Sequence, residues 1–120
     1  MTKTILLVED DVLSSEFMRL YLEGEGYNII SSTTMSEACH LITQEKPHAV
    51  ITDIELADGS GFEVASHAKK HATFLKVAVS GHDKYQLSQL KEGEEKVFDH
   101  VLTKPLDLEK LGELLHSSFQ

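Results

Sequence analysis

Basic residues are scarce in this chain: Lys and Arg number 11 against 20 Asp and Glu, a formal net charge of -9 over 120 residues. Such a surface repels nucleic acid and anionic membrane and offers a basic stripe to neither, so no direct nucleic acid binding and no membrane association are expected. Cys39 is the sole cysteine, which excludes an internal disulfide. No basic-then-apolar leader precedes the first apolar run, so a reducing cytosol, a cytoplasmic setting, is expected. No apolar run is longer than Ile5-Leu6-Leu7-Val8, far short of the roughly 20 residues that span a bilayer. The only prolines are Pro47 and Pro105, and no repeat, low-complexity stretch or linker interrupts the chain. The length, with 41% hydrophobic content, fills one core and leaves little for a second, which predicts a single domain over 1–120.

Short β-branched runs alternate with longer segments of helical period, the pattern of βα units around a parallel sheet. Five strands are expected, at about 4–8, 27–31, 49–53, 74–79 and 97–102. The first, third and fourth are near-continuously apolar, as strands covered on both faces are, and the second and fifth read as edges. Leu13, Phe17, Leu20 and Tyr21 recur at helical spacing, as do Met35, Ala38, Leu41 and Ile42, and Leu108, Leu111, Leu114 and Leu115; these predict helix faces turned to the sheet. Thr34 with Glu37, Ser60 with Glu63 and Asp83 with Gln86 carry capping signatures, and Asp107 is a plain N-cap candidate. Gly24 and Gly26 end the first helix, and Pro47 bars the second from running on. A fourth helix over roughly 83–92 is the weakest, with only Tyr85, Leu87 and Leu90 for an apolar stripe.

Chemistry-bearing side chains collect at the carboxyl ends of these strands, the edge at which open parallel sheets bind ligands. Glu9-Asp10-Asp11 follow the first strand, Asp53 closes the third ahead of the turn Ala57-Asp58-Gly59-Ser60-Gly61, Ser80 follows the fourth and Lys104 the fifth. Acids converging on Asp53 raise one another's pKa and oppose compactness, and a cation resolves this. Mg²⁺ fits best, with Mn²⁺ as the alternative, because it takes oxygen ligands, binds through one or two carboxylates and keeps waters for phosphate oxygens to replace. Asp10 and Asp53 are the expected direct ligands, with Glu9 acting through water and the Glu55 carbonyl completing the set. Against this stands the plainer reading that Asp10 or Asp11 only caps the helix beginning at Val12. Lys104 precedes Pro105, a bond type that adopts cis far more readily than others, and its ammonium suits a phosphate oxygen or the Asp53 carboxylate. Ser80 offers a hydroxyl, and Gly81 leaves room for a bulky tetrahedral group.

The residues Leu7-Val8-Glu9-Asp10-Asp11, Asp53 with the turn through Gly61, Ser80-Gly81 and Lys104-Pro105 resemble the receiver domain of two-component response regulators, over the whole chain. The resemblance implies an α/β, doubly wound, flavodoxin-like (βα)5 fold with a five-stranded parallel sheet of order 2-1-3-4-5. It implies a phosphoacceptor in a two-component phosphorelay, in which Asp53 takes a phosphoryl group from a histidine kinase or histidine phosphotransfer protein. Glu9 and Asp10 then serve Mg²⁺, and Ser80 and Lys104 contact the phosphoryl oxygens. Such a domain is not a conventional enzyme but catalyses its own Mg²⁺-dependent phosphorylation and dephosphorylation, and signals to a downstream protein effector. Partner choice is expected in surface residues of the first helix, such as Ser14, Ser15 and Met18.

Two positions depart from the family pattern. Val101 stands three residues before the lysine, where receivers usually carry an aromatic that follows the hydroxyl residue inward on activation, and Ala57 stands where proline is common. Glu55 and His82, each two residues beyond a key position, are expected to flank the mouth of the site and tune how fast water removes the phosphoryl group; Gly81 and Val101 are further modulating positions. His67 and His71, four apart on the third helix, have metal-binding spacing but no third ligand and read as a solvated face. Cys39 reads as a small hydrophobe under the second helix. An FMN-binding flavodoxin would need a Gly/Ser/Thr-rich loop where this chain places acids, and a haloacid-dehalogenase-type phosphatase a different spacing of acids after the first strand. A phosphorylation-independent, receiver-like interaction module is the remaining alternative, to which Val101 gives some room.

Overall fold

The computed structural model describes residues 2–81 and 97–120. The helix expected over 83–92, its Asp83 cap and His82 lie outside the described residues. Along the chain run β1 (Thr4–Val8), α1 (Val12–Gly24), β2 (Asn28–Ser32), α2 (Met35–Glu45), β3 (Ala49–Asp53), β4 (Glu55–Leu56), β5 (Gly59–Ser60), α3 (Gly61–Lys70), β6 (Leu75–Ser80), β7 (His100–Thr103) and α4 (Leu108–Ser118). The five longer strands form one parallel sheet in the order β2-β1-β3-β6-β7, the 2-1-3-4-5 arrangement expected, with β2 and β7 at its edges.

Strand alternation divides the core. Ile5, Leu7, Ala49, Ile51, Leu75, Val77 and Val79 face one way and bury with Met18 and Leu22 of α1 and Leu111 and Leu115 of α4. Leu6, Val8 and Val50 face the other way, against Ala38 and Ile42 of α2 and Val64 and Ala68 of α3. Both faces being covered is why β1, β3 and β6 are apolar at nearly every position. A smaller cluster of Ile54, Ala65, Ala78 and Phe98 sits beside the second, with Phe62 and Phe98 packed edge to face, ring centroids 5.2 Å apart.

The capping residues act as the sequence suggests. Thr34 accepts from the Glu37 amide at 3.1 Å, Ser60 from Phe62 at 3.0 Å and Asp107 from Lys110 at 3.1 Å. Asp11 caps α1, accepting from the Leu13 amide and the Ser14 hydroxyl, so the plainer reading holds for Asp11 and not for Asp10. Lys46 ends α2 in the left-handed region with φ 47, just ahead of Pro47.

Several expectations need correction. In α1, Phe17 and Leu20 are 61% and 59% exposed and Leu13 is exposed as well. The helix turns Met18 and Leu22 inward instead, because the two spacings are offset by a fraction of a turn and an apolar stripe wider than the contact cannot say which edge is buried. Met18, expected at the surface, is therefore core. The strands expected at 27–31, 74–79 and 97–102 begin later, at Asn28, Leu75 and His100; Phe74 stays exposed and Phe98 packs under α3 rather than pairing. The turn after Asp53 is a short antiparallel hairpin, Glu55 opposite Ser60 and Leu56 opposite Gly59. His67 is half-buried, its Nε2 2.9 Å from the Thr43 hydroxyl of α2, rather than a free solvated group.

Leu22→Ala is expected to lower unfolding free energy by about 2–5 kcal/mol, the cost of emptying a closed core site. Leu20→Ala should change it by no more than about 0.5 kcal/mol. Urea denaturation of both variants measures this; the reverse ranking would place the other face of α1 against the sheet.

Candidate functional site

Parallel register brings the chemistry-bearing ends together. Val8 lies opposite Thr52 and Asp53 opposite Val79, and Ser80 lies opposite Thr103, with the Lys104 amide donating to the Ser80 carbonyl at 2.8 Å. Glu9, Asp53, Ser80 and Lys104 thus stand at or just beyond the carboxyl ends of four adjacent strands, β1, β3, β6 and β7, at one edge of the sheet. The Lys104-Pro105 bond is cis.

Lys104 Nζ stands 3.1 Å from Asp53 Oδ2 and 3.2 Å from Glu9 Oε2. Glu9 is only 2% exposed, and its other oxygen accepts from the Asp11 amide at 3.0 Å. Burial pushes the Glu9 carboxyl above its ordinary value, Asp53 adds to that, and the Asp11 amide and Lys104 act against it. Lys104 is displaced upward, its burial outweighed by Asp53 and Glu9. Carboxylate oxygens of Glu9, Asp10 and Asp53 lie within 4.8 Å of one another. With both Glu9 oxygens engaged by the protein, Asp10 and Asp53 are the carboxylates that face an open cleft of about 340 Å³, lined also by Ile54, Glu55, Leu56, Ala57 and Gly81. This all-oxygen donor set suits a hard divalent cation, and an ammonium beside it suits an anion.

The structure therefore gathers Glu9, Asp10, Asp53, Glu55, Gly81 and Lys104. Ser80 is buried at the strand end beside them, 1% exposed. Val101 lies apart, half-buried against the Ile54, Ala65, Ala78 and Phe98 cluster, and His82 lies outside the described residues. Cys39 is half-buried and lines a groove between α2 and α3 with Met35 and His67. Two contributors escaped the sequence reading. Gly61 passes so close to the Asp53 carbonyl that a Cβ there would lie 2.2 Å from its oxygen, holding the peptide that carries Asp53; the paired glycines of the turn were the signal. Asp58 bonds two amides of α2, and nothing in its local sequence points to a helix more than 20 residues earlier.

The sequence matches the family described as response regulator receiver domain over residues 5–116. It is 35% identical to the polar-differentiation response regulator DivK of Brucella ovis over 69 residues, 58% of this chain and 56% of DivK, so the match spans little more than half of that curated relative. A 14.6 kDa protein from Leptolyngbya boryana is 29% identical over 108 residues, 86% of this chain and 79% of that protein. A CheY-like response regulator receiver domain from Methylobacillus flagellatus superposes with a TM-score of 0.85 at 27% identity, covering 98% of this chain and 99% of the other. The response regulator TrrA from Thermotoga maritima, solved in complex with Mg²⁺-BeF, gives 0.85 at 24% identity over 98% and 99% of the two chains, a likeness of fold alone.

The shifts carry signs that can be measured. A carboxyl raised above 4.5, as Glu9 is, favours the folded state most below that pH, and the benefit is lost as pH rises through its folded value. Lys104, raised above 10.5, contributes stability that is present below 10.5 and lost as pH climbs past its folded value. In metal-free protein, carbon-detected NMR should find the Glu9 carboxyl titrating above 4.5, and Lys104→Ala should move it higher still; a downward move would mean that Lys104 does not stabilise the charged form.

Proposed function

The chain belongs to the response regulator receiver domain family, and on that premise we propose that Asp53 is a phosphoacceptor served by a phosphohistidine donor. The observation that carries the reading is Lys104 held between Asp53 and Glu9, 3.1 and 3.2 Å away, with Asp10 beside them on an open cleft. A carboxylate is a competent nucleophile for phosphoryl transfer, and the protein's share of the work is positioning and charge neutralisation. A bond forms between an Asp53 carboxylate oxygen and phosphorus as the P–N bond of the donor breaks, its electron pair remaining on the imidazole nitrogen. Lys104 and Ser80 receive the phosphoryl oxygens, and Gly81 leaves them space.

Asp10, Asp53 and the Glu55 carbonyl would hold Mg²⁺ or Mn²⁺, with Glu9 reached through water, and the bound ion supplies charge neutralisation at the phosphoryl oxygens. The oxygen donors fit that group. The solved relative bound to Mg²⁺-BeF carries a phosphoryl mimic on the same fold, which supports the assignment by analogy. The partners are a histidine kinase or histidine phosphotransfer protein and a protein effector, the unit spans 1–120, and its setting is the cytosol. Among the described residues no helix is long and apolar enough to cross a membrane. Glu55, with His82, sets the lifetime of the phosphorylated state.

Val101 favours one competing reading, a receiver-like interaction module that works without phosphorylation, because a half-buried aliphatic residue cannot make the aromatic switch usual in the family. Incubation with Mg²⁺ and a small acyl phosphate, followed by intact mass, separates the two. The wild type should gain one phosphoryl group and Asp53→Asn none, and beryllofluoride with Mg²⁺ should shift NMR resonances around Asp53 in the wild type and not in Asp53→Asn. A wild type that gains no mass and shows no shift would leave the interaction module.

A further inference from the structure

We propose that Asp58 is a positioning residue for the acid cleft: by clamping the tip of the β4–β5 hairpin to the N-terminus of α2, it holds Glu55 beside Asp10 and Asp53. The inference rests on the phosphoacceptor reading for its consequence, but the clamp itself is a matter of geometry. Ala57 and Asp58 form the two-residue connection of the hairpin. Asp58 Oδ1 accepts from the Met35 amide at 2.7 Å and Oδ2 from the Ser36 amide at 3.1 Å. Thr34 takes the Glu37 amide, so the three amides that open α2 are shared between its own cap and a residue from the site loop.

The fit around this bond is close. A Cβ on Gly59 would lie 2.2 Å from Met35 Sδ, so the hairpin backbone rests directly on the first residue of α2. Leu56 is buried with Ala38, Ile42 and Val64. At the other end the Gly61 amide donates to the Ile54 carbonyl at 2.8 Å. The hairpin is thus pinned at its base to the peptide after Asp53 and at its tip to α2, and Glu55 stands between the pins on the wall of the cleft. Asp58 lines no part of that wall itself, so it acts through the hairpin. The two amides and the positive end of the helix favour its ionised form, holding its carboxyl below the usual value.

Two variants of the full chain attack the clamp from opposite sides. Asp58→Ala removes the acceptor. Met35→Pro removes one donor at the first position of the helix, where proline is tolerated, and Thr34 before it already has the extended backbone that proline demands. Amide hydrogen exchange of Glu55, Gly59 and Ser60 and an NMR titration with MgCl₂ are read for each, well below the melting temperature. Asp58→Ala, which removes both bonds, should speed hairpin exchange by about tenfold or more, a single hydrogen bond to a charged group being already on that scale, and weaken Mg²⁺ binding severalfold. Met35→Pro should do the same to a smaller degree, and Asp58→Asn should fall nearer the wild type. If the variants melt earlier while hairpin exchange and the Mg²⁺ dissociation constant stay as in wild type, Asp58 is a helix cap alone and the proposal is overturned. If wild type binds no Mg²⁺, the phosphoacceptor reading fails, and hairpin exchange still decides whether the clamp exists.

Discussion

One ammonium, that of Lys104, stands between two carboxylates that parallel register would otherwise press together without compensation. Glu9 is closed off from solvent and Asp53 is mostly buried, opening only on the cleft, and like charges held so close oppose each other and the folded state. Much of the local architecture serves that contact. β7 ends opposite β6 so that the Lys104 amide is tied to the Ser80 carbonyl, which sets where its side chain begins. The Asp11 amide occupies Oε1 of Glu9, leaving Oε2 for the ammonium. Gly61 gives up a side chain so that the peptide of Asp53 can lie against the start of α3.

This arrangement also divides labour among the acids. Asp11 faces away and caps α1, Glu9 is committed to Lys104 and a backbone amide, and Asp10 with Asp53 faces the cleft. Three consecutive acids that look equivalent in one dimension are thereby given three environments by a strand end, a cap and a helix start. A lysine already resting on Asp53 has only a short way to go to meet an anion bound there.

The layered fold and its strand order were legible because burial on both faces writes itself into β1, β3 and β6 as near-continuous apolar runs. The acid and lysine positions were legible because each follows such a run. What stayed hidden was relational. Whether Phe17 and Leu20 or Met18 and Leu22 face the sheet depends on a rotation of α1 smaller than the width of its apolar stripe. Val97 and Phe98 look like strand, yet Phe98 packs on Phe62 and pairing begins only at His100. The partner of Asp58 lies across the fold, and no local pattern announces a bond of that kind. Val101 was visible as a departure, and it packs against the small cluster of Ile54, Ala65, Ala78 and Phe98.

The division of the core has a consequence for how this chain can change over generations. Odd and even positions of the same strands feed separate clusters, one with α1 and α4, the other with α2 and α3. Substitutions that share no packing partners combine almost independently in their effect on stability. The α1 and α4 side can therefore drift, its exposed Val12, Leu13, Phe17 and Leu20 included, without reshaping the side on which the hairpin rests. A sheet that is one object to its hydrogen bonds is two to its side chains, and that leaves each face free to acquire its own history.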